Sequence, residues 1–268
     1  MIRPPVVAGA FYERNGEALR KEVTKHLDHP PAVEEAIGCV CPHAGYIYSG
    51  DVVGAVLSAI RIPPTVVVLS FSHKTLGADY AVWPDGAWRT PLGDVRVNDR
   101  LALKLIAHSA LLESDTQAFA YEHSGEVMLP FLQVLRPDVE VVMVSVSPFA
   151  PLHPLLTLGR EMASILRDEA PRPLLLASTD MTHGLPADDA EKQDRLAIDA
   201  MLKLDETRLY SVVRDKDISM CGVCPVTAMI ACAKELGATS ARLVRYENSG
   251  KTTGDLDSVV GYAGLTFR

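Results

Sequence analysis

Three side chains that commonly bind metals occur far apart in this sequence. His43 follows an apolar run over residues 37–41, His73 follows a second run over residues 65–71, and Cys221 stands just before a predicted helix. Imidazole nitrogen and thiolate sulfur are ligands of iron, copper and zinc in proteins. Our first hypothesis is therefore one shared metal site built from these three residues.

A carboxylate and another imidazole follow a third apolar run, over residues 173–178. Asp180 and His183 are three residues apart, a spacing at which a carboxylate can orient an imidazole and fix its tautomer. We expect His183 to accept or donate a proton at the site, with Asp180 holding its ring.

Four further residues are expected near the metal ligands or against a substrate: Tyr46, Lys74, His123 and Glu126. His123 and Glu126 stand at the start of a predicted helix, and Tyr46 follows the first His-containing turn. Lys74 directly follows His73, and its ammonium group favours an anionic ligand or substrate.

The cysteines allow an alternative hypothesis, a zinc site. Cys221 and Cys224 have the C-x-x-C spacing of zinc and redox motifs, and Cys41 lies close to His43. A tetrahedral zinc site drawing on Cys41, Cys224 or both is an alternative to iron or copper. Structural zinc usually takes closely spaced ligand pairs, however, and the sequence has no second C-x-x-C.

A single His after a strand is usually a loop residue. The recurrence of His at the ends of several strands is therefore what supports a shared metal site.

Short apolar runs alternate with amphipathic stretches along the chain. This alternation is typical of a single α/β domain over residues 1–268 with a largely parallel sheet flanked by helices. Parallel strands bring their carboxyl ends to one edge, where ligands bind, so the candidate ligands should converge there. Residues 79–97, rich in Trp, Pro and Gly, are expected to form an antiparallel excursion near the site. Strands are predicted at 37–41, 65–71, 139–146, 173–178, 241–246 and 259–267, and helices at 16–27, 50–60, 99–108, 124–136, 152–169, 187–204, 206–215 and 225–236.

Composition narrows the class of protein. The chain has 34 acidic and 26 basic side chains and a net charge of -8, which gives no electrostatic reason to bind nucleic acid or anionic lipid. The N-terminus lacks an apolar signal segment, and no apolar run approaches the ~18 residues of a membrane span. We expect a cytoplasmic protein whose five cysteines are reduced.

Several short motifs, taken in order, resemble those of the Memo family, whose prokaryotic members are called AmmeMemoRadiSam system protein B. The likeness runs nearly from end to end of the chain. It covers residues 7–12 (VAGAFY), 42–50 (PHAGYIYSG), 72–73 (SH), 89–93 (RTPLG), 122–126 (EHSGE), 129–131 (LPF), 179–183 (TDMTH), 221–225 (CGVCP) and 261–263 (GYA).

This resemblance implies a fold like that of the class III extradiol ring-cleaving dioxygenases, which hold iron(II) with two His and one carboxylate. In Memo-like proteins a cysteine takes the third position. The resemblance thus implies His43, His73 and Cys221 as ligands, with Asp180 and His183 as the polar pair beside the metal. Two positions depart from the family pattern: Lys74, where many relatives have His, and Cys41, where a small residue is usual.

The resemblance implies an iron(II) or copper protein with oxygen-dependent redox activity on an unknown substrate. A thiolate in place of a carboxylate softens the ligand set, so ring cleavage need not be retained. One alternative is a non-catalytic module that holds a peptide or protein in the cleft through Tyr46, Tyr48, Trp83 and Trp88. Another is ring cleavage of a catechol-like substrate. Partners of the AMMECR or radical-SAM type are implied by the family name alone.

Overall fold

A computed structural model describes residues 1–28, 30 and 32–268 of the chain. Within that part, twelve strands join into one sheet. The strands are β1 (Ile2–Arg3), β2 (Gly38–Cys41), β3 (Thr65–Phe71), β4 (Tyr80–Val82), β5 (Ala87–Thr90), β6 (Gly93–Val97), β7 (Glu113–Ser114), β8 (Glu140–Val146), β9 (Leu174–Ser178), β10 (His183–Leu185), β11 (Ala241–Asn248) and β12 (Val259–Phe267).

Helices flank this sheet and connect its strands. Most of the predicted helices occur within a few residues of their expected bounds. The α-helices are α1 (Gly16–His26), α2 (Tyr46–Ser58), α3 (Asp99–His108), α4 (Leu129–Leu135), α5 (Leu152–Leu166), α6 (Ala187–Leu202), α7 (Glu206–Asp215), α8 (Val223–Glu235) and α9 (Gly250–Thr253).

The centre of the sheet is parallel and buried. Strands β6, β8, β3, β9 and β2 lie side by side in that order, all parallel, and antiparallel pairing is found toward the edges. In strand β3, Val66 to Leu69 are all fully buried, as expected where helices cover both sides of a parallel strand. The predicted α/β class with a largely parallel sheet is confirmed.

Two predicted helices begin four or more residues from their expected start. Helix α2 starts at Tyr46 rather than at residue 50, because the backbone N–H of Tyr46 is bound by the carbonyl of Phe11 and the helical turn opens at Gly45. The predicted helix 124–136 opens as a 3-10 turn over Glu126–Met128 and becomes α-helical at Leu129, with Pro130 in the first turn, where proline is well tolerated.

The excursion at residues 79–97 is antiparallel as predicted, but its position is not. Strands β5 and β6 form a hairpin, and β6 places Arg96 opposite Glu140 at the amino end of β8. The candidate ligands follow the carboxyl ends of the central strands, so the hairpin lies toward the other edge. Strand β4, at the start of the segment, pairs instead with the carboxyl end of β8, with Tyr80 opposite Val146. The expectation that the excursion adjoins the site is therefore wrong for the hairpin.

A buried ion pair fixes the N-terminal segment to the sheet. Arg3 Nη1 lies 2.6 Å from Glu126 Oε2, and both side chains are almost fully buried. The same carboxylate accepts hydrogen bonds from the backbone N–H groups of Val6 and Val7 and from the Tyr12 hydroxyl at 2.7 Å. Because Glu126 has many partners within the protein, its charge is held in place although it is removed from water.

The described helices include none that is long and apolar enough to cross a bilayer.

Replacing Glu126 by Ala should lower the free energy of unfolding by about 3–5 kcal/mol, because Arg3 is then left as a buried charge without its partner. Urea denaturation measures the change. Glu17→Ala is the matched control, since it breaks the exposed Glu17–Lys21 pair and should cost no more than about 0.5 kcal/mol. Equal effects of the two substitutions would contradict the stabilising role of Glu126.

Candidate metal centre

The candidate metal ligands meet at the carboxyl edge of three neighbouring parallel strands. In the sheet, Cys41 at the end of β2 lies opposite Ser178 at the end of β9, and β9 pairs in turn with β3. His43 follows β2 by two residues, and His73 follows β3 by two residues. The centroids of these two imidazole rings are 5.1 Å apart. The predicted convergence of His43 and His73 is therefore found.

Cys221 reaches the same place through a close backbone approach. The N–H of Gly222 donates to Thr179 Oγ1 at 2.8 Å. A Cβ atom at position 222 would lie only 2.4 Å from the carbonyl oxygen of Ser178, so a residue with a side chain cannot occupy this position without movement. The resulting contact brings Cys221 Sγ to 3.3 Å from His43 Nε2.

This separation suits two ligands of one metal ion. Ligands at about 2.0 Å (imidazole nitrogen) and about 2.3 Å (thiolate sulfur) from a common ion lie roughly 3.3–3.6 Å from each other when the angle between them is near tetrahedral. The distance of 3.3 Å between His43 Nε2 and Cys221 Sγ falls at the lower end of that range. These two atoms are therefore placed to share an ion with little rearrangement.

Hydrogen bonding sets the tautomer of His43. Its Nδ1 lies 2.7 Å from Ser178 Oγ, which in turn donates to the carbonyl of Ser124 at 2.7 Å. A hydroxyl has one proton to donate, so Ser178 must accept from the Nδ1–H of His43. The Nε2 lone pair then faces Cys221. Burial, with a smaller effect of the charge of His73, lowers the pKa of His43 to about 3, so the ring is neutral at neutral pH.

A buried carboxylate orients His73 in the same way. His73 Nδ1 lies 2.9 Å from Glu122 Oε1, and Glu122 also accepts from the backbone N–H of His73 at 2.7 Å. Burial raises the pKa of Glu122, but the hydrogen bonds from His73 and from the N–H of Ser124 outweigh it and lower the pKa to about 2. The ionised carboxylate accepts the Nδ1–H of His73, and Nε2 is left as a ligand atom.

His123 joins the two ligand imidazoles. Its ring stacks on that of His73, with 4.5 Å between the centroids. One ring nitrogen of His43, one of His73 and one of His123 lie within 4.8 Å of one another. Burial and the charge of His43 lower the pKa of His123 to about 4. The ring is thus a third neutral imidazole at the centre. His123 was expected near the ligands or against a substrate, and it lies among the ligands themselves. These three His residues could bind a metal ion.

The expected pairing of Asp180 with His183 takes a different form. Asp180 Oδ1 accepts the backbone N–H of His43 at 2.7 Å, and its Oδ2 lies 3.9 Å from His43 Nε2. His183 Nδ1 instead lies 3.1 Å from the carbonyl oxygen of Ser219. Both Asp180 and His183 line a cavity in front of the imidazole rings. The ring of His183 is oriented by Ser219, however, and the expectation that Asp180 orients it is wrong.

Three residues expected around the ligands lie elsewhere. Glu126 holds the N-terminal segment, as described above. The Tyr46 side chain is buried, and its hydroxyl donates to the carbonyl of Val127 at 2.6 Å. Lys74 is exposed and does not line the cavity. Their sequence positions next to the motifs did not reveal where their side chains point.

The aromatic residues proposed for a peptide-binding module are also mostly unavailable. Trp83 and Trp88 are buried and pack together with Phe119. Of the four, Tyr48 alone lines the cavity, since Tyr46 is buried as well. Three of the four residues named for this alternative therefore cannot contact a peptide in the cavity.

The two cysteines of the zinc alternative contact other groups than the candidate ligands. No cysteine is among the residues that line the cavity, but the Cys221 thiol contacts His43. Cys41 is fully buried, and burial together with the neighbouring Cys39 thiol raises its pKa well above the usual range. Cys224 lies against the carbonyl of Pro148, with Sγ 3.5 Å from the oxygen. Both thiols therefore belong to the packed interior.

A cavity of about 350 Å³ opens in front of the imidazoles. Its wall is part polar and part aromatic, and Phe11 packs edge-on against His123 at 4.7 Å. Sequence reasoning assigned no role to Phe11, Tyr262, Ser178, Ser219 or Glu122. Phe11, Glu122 and Tyr262 lie in segments that resemble family motifs, whereas Ser178 and Ser219 carried no signal. The lining residues are Ala10, Phe11, His43, Ala44, Gly45, Tyr48, His73, His123, Asp180, His183 and Tyr262.

Comparison with known proteins assigns this architecture to a family. The family model described as Memo-like protein matches residues 3–266. A MEMO1 family protein of Methanothermobacter thermautotrophicus is 39% identical, over 99% of this chain and 100% of its own length. A MEMO1 family protein of Aquifex aeolicus is 38% identical, over 99% of each chain.

A solved structure shares the fold. An uncharacterized protein from Escherichia coli K12 superposes with a TM-score of 0.55 and 15% sequence identity, covering 84% of this chain and 98% of that one. At this identity the likeness concerns the fold alone.

Replacing Gly222 by Ala should weaken metal binding at least tenfold, because the added methyl group meets the Ser178 carbonyl and pushes Cys221 away from His43. Competition with a chromogenic chelator measures the affinity. Gly254→Ala is a control for backbone strain alone: Gly254 is exposed, lies outside the cavity lining and has a left-handed φ of 75°, so the added methyl group strains the chain there without touching the centre and should leave the affinity unchanged. Unchanged affinity in Gly222→Ala would contradict a ligand role for Cys221.

Proposed function

The chain belongs to the Memo-like protein family, and on that basis we propose that it is a metalloprotein that binds iron or copper and uses it in oxygen-dependent redox chemistry. The proposed ligands are His43, His73 and Cys221. The observation that carries the proposal is the 3.3 Å contact between His43 Nε2 and Cys221 Sγ, with the His43 ring itself in the wall of an open cavity. It is a place where an ion can bind protein and still be reached by a small molecule.

The chemistry of the donor atoms fits such an ion. Neutral imidazoles and a thiolate suit iron, copper and zinc, whereas magnesium and calcium prefer oxygen ligands. Glu122 and Ser178 hold the two His rings through Nδ1, which directs both Nε2 atoms to the centre. His123 is available as a further neutral ligand beside them.

Ionisation of Cys221 is expected to accompany metal binding. Burial, and then the nearby Asp180 charge, raise the pKa of the thiol well above its usual range, so without a cation the thiol keeps its proton at neutral pH. A bound cation stabilises the thiolate and replaces that proton. The bound metal would supply one-electron redox chemistry.

Residues across the cavity are placed to handle a substrate. If the Nδ1–H of His183 donates to the Ser219 carbonyl, its Nε2 is free to accept a proton from a bound molecule. Phe11, Tyr48 and Tyr262 give the cavity an aromatic wall against which a substrate can pack. The volume of about 350 Å³ favours a small molecule as the substrate.

Oxygen uptake tests this proposal. Protein loaded anaerobically with iron(II) or copper(I) is mixed with air-saturated buffer and ascorbate, which gives two electrons and two protons to reduce oxygen to hydrogen peroxide. We expect sustained uptake by the wild-type protein, recorded with an oxygen electrode. In Cys221→Ser the rate should fall at least tenfold, because the thiolate ligand is lost.

The matched control is Cys232→Ser, which changes a buried thiol on α8 that does not line the cavity. It should keep the wild-type rate within about twofold once its folding is verified by circular dichroism. A wild-type rate no higher than that of the free metal ion, or an equal loss in both folded variants, would contradict the proposed redox function.

A further inference from the structure

A second and larger cavity lies at the opposite edge of the sheet from the candidate metal centre. Its volume is about 750 Å³. Its wall includes Ile37, Pro64 and Arg172, which lie just before the amino ends of β2, β3 and β9. Strand β3 has seven residues, so with about 3.3 Å for each residue the two edges are roughly 20 Å apart. The two cavities are therefore separate sites.

Four arginine residues line this cavity: Arg61, Arg136, Arg172 and Arg268. The chain as a whole is acidic, with 34 acidic side chains against 26 basic ones. The local excess of positive charge thus runs against the net charge of the protein. Such a patch attracts anions.

The carboxylates in the wall do not cancel this charge. Glu35 is paired with Arg61, with 2.6 Å between Oε1 and Nε. Glu169 is bound by Arg100 and by Lys104, and neither of those two cations belongs to the four arginines of the cavity. Arg136 and Arg172 are therefore not neutralised by the acidic residues of the wall.

Backbone carbonyl groups orient these two arginines instead. Arg136 Nη1 donates to the carbonyl of Ile62 at 3.2 Å, and its Nη2 donates to the exposed Asp138 at 3.1 Å. Arg172 Nη1 donates to the carbonyl of Leu236 at 3.1 Å. A guanidinium has five N–H donors, so donors remain for a ligand. Among the described residues no carboxylate pairs with Arg172. Arg136 is paired with Asp138 and Arg268 with Glu34, and both of these carboxylates lie outside the cavity wall.

The rest of the wall is largely apolar, with Ile37, Ile62, Pro63 and Pro64 among its residues. Cavities of about 300–1,000 Å³ that combine apolar walls with a few polar groups are typical small-molecule sites. Arginine pairs with phosphate and carboxylate groups through two parallel hydrogen bonds. We propose that this cavity binds a small polyanion, a molecule with two or more phosphate or carboxylate charges.

Titration calorimetry in magnesium-free, low-salt buffer tests this proposal with pyrophosphate, citrate and ADP as probes. At least one of them should bind the wild-type protein with a dissociation constant below about 1 mM. Adenosine, which lacks the charges of ADP, should bind at least tenfold more weakly than ADP. Because pyrophosphate and citrate carry different acidic groups, their relative affinities distinguish a phosphate ligand from a carboxylate ligand.

Charge variants test whether the polyanion binds in this cavity. Arg172→Gln should weaken binding at least fivefold; this residue is exposed and makes one hydrogen bond, so the variant should fold. Glu35→Gln should strengthen binding, because it removes a negative charge from the wall. Arg208→Gln removes the same charge from an exposed position outside the cavity and should leave the affinity within twofold. His43→Ala should bind the polyanion as the wild type does.

Three results would overturn the proposal. The first is the absence of binding by all three probes. The second is unchanged affinity in Arg172→Gln together with Arg136→Gln. The third is loss of probe binding in folded His43→Ala, which would place the anion at the metal centre instead of this cavity.

Discussion

The parallel alignment of β3, β9 and β2 is the constraint on which the candidate metal centre depends. Parallel strands all end at one edge, and in this sheet Cys41 and Ser178 are direct neighbours at that edge. His43 and His73 come from segments 30 residues apart in sequence, yet their rings lie 5.1 Å apart because the strands before them end together. The buried Val and Leu residues of the central strands therefore stabilise the geometry of the centre as well as the fold.

Hydrogen bonds at Nδ1 fix the orientation of the two ligand imidazoles. Ser178 and Glu122 each accept one Nδ1–H, so that both Nε2 atoms are directed inward. Gly222 then permits Cys221 to approach, because a larger residue would collide with the Ser178 carbonyl. The protein's own contacts thus orient the imidazoles and hold Cys221 against His43. The ligand atoms of His43, His73 and Cys221 do not all lie within 4.8 Å of one another, so Cys221 or His73 must move when the ion binds.

The sequence predicted six of the twelve strands, most helices and the edge at which the ligands meet, because hydrophobic periodicity reports which elements are buried and where they end. It did not predict side-chain partners that are distant in sequence. The Arg3–Glu126 pair spans 123 residues, and the His73–Glu122 contact spans 49. Asp180 and His183 show the same limit, since a suitable spacing did not reveal that Asp180 binds the backbone of His43 and that Ser219 holds His183. Such pairings depend on packing in three dimensions, which no local pattern encodes.

The metal content of protein purified anaerobically without added metal tests the central claim most directly. Elemental analysis should find close to one iron or copper ion for each wild-type chain, and almost none in His43→Ala or His73→Ala. Lys74→Ala, which changes the exposed neighbour of His73, should retain the wild-type content. A wild-type protein that contains no metal and takes up neither iron(II) nor copper(I), or His variants that keep a full complement of metal, would contradict the account.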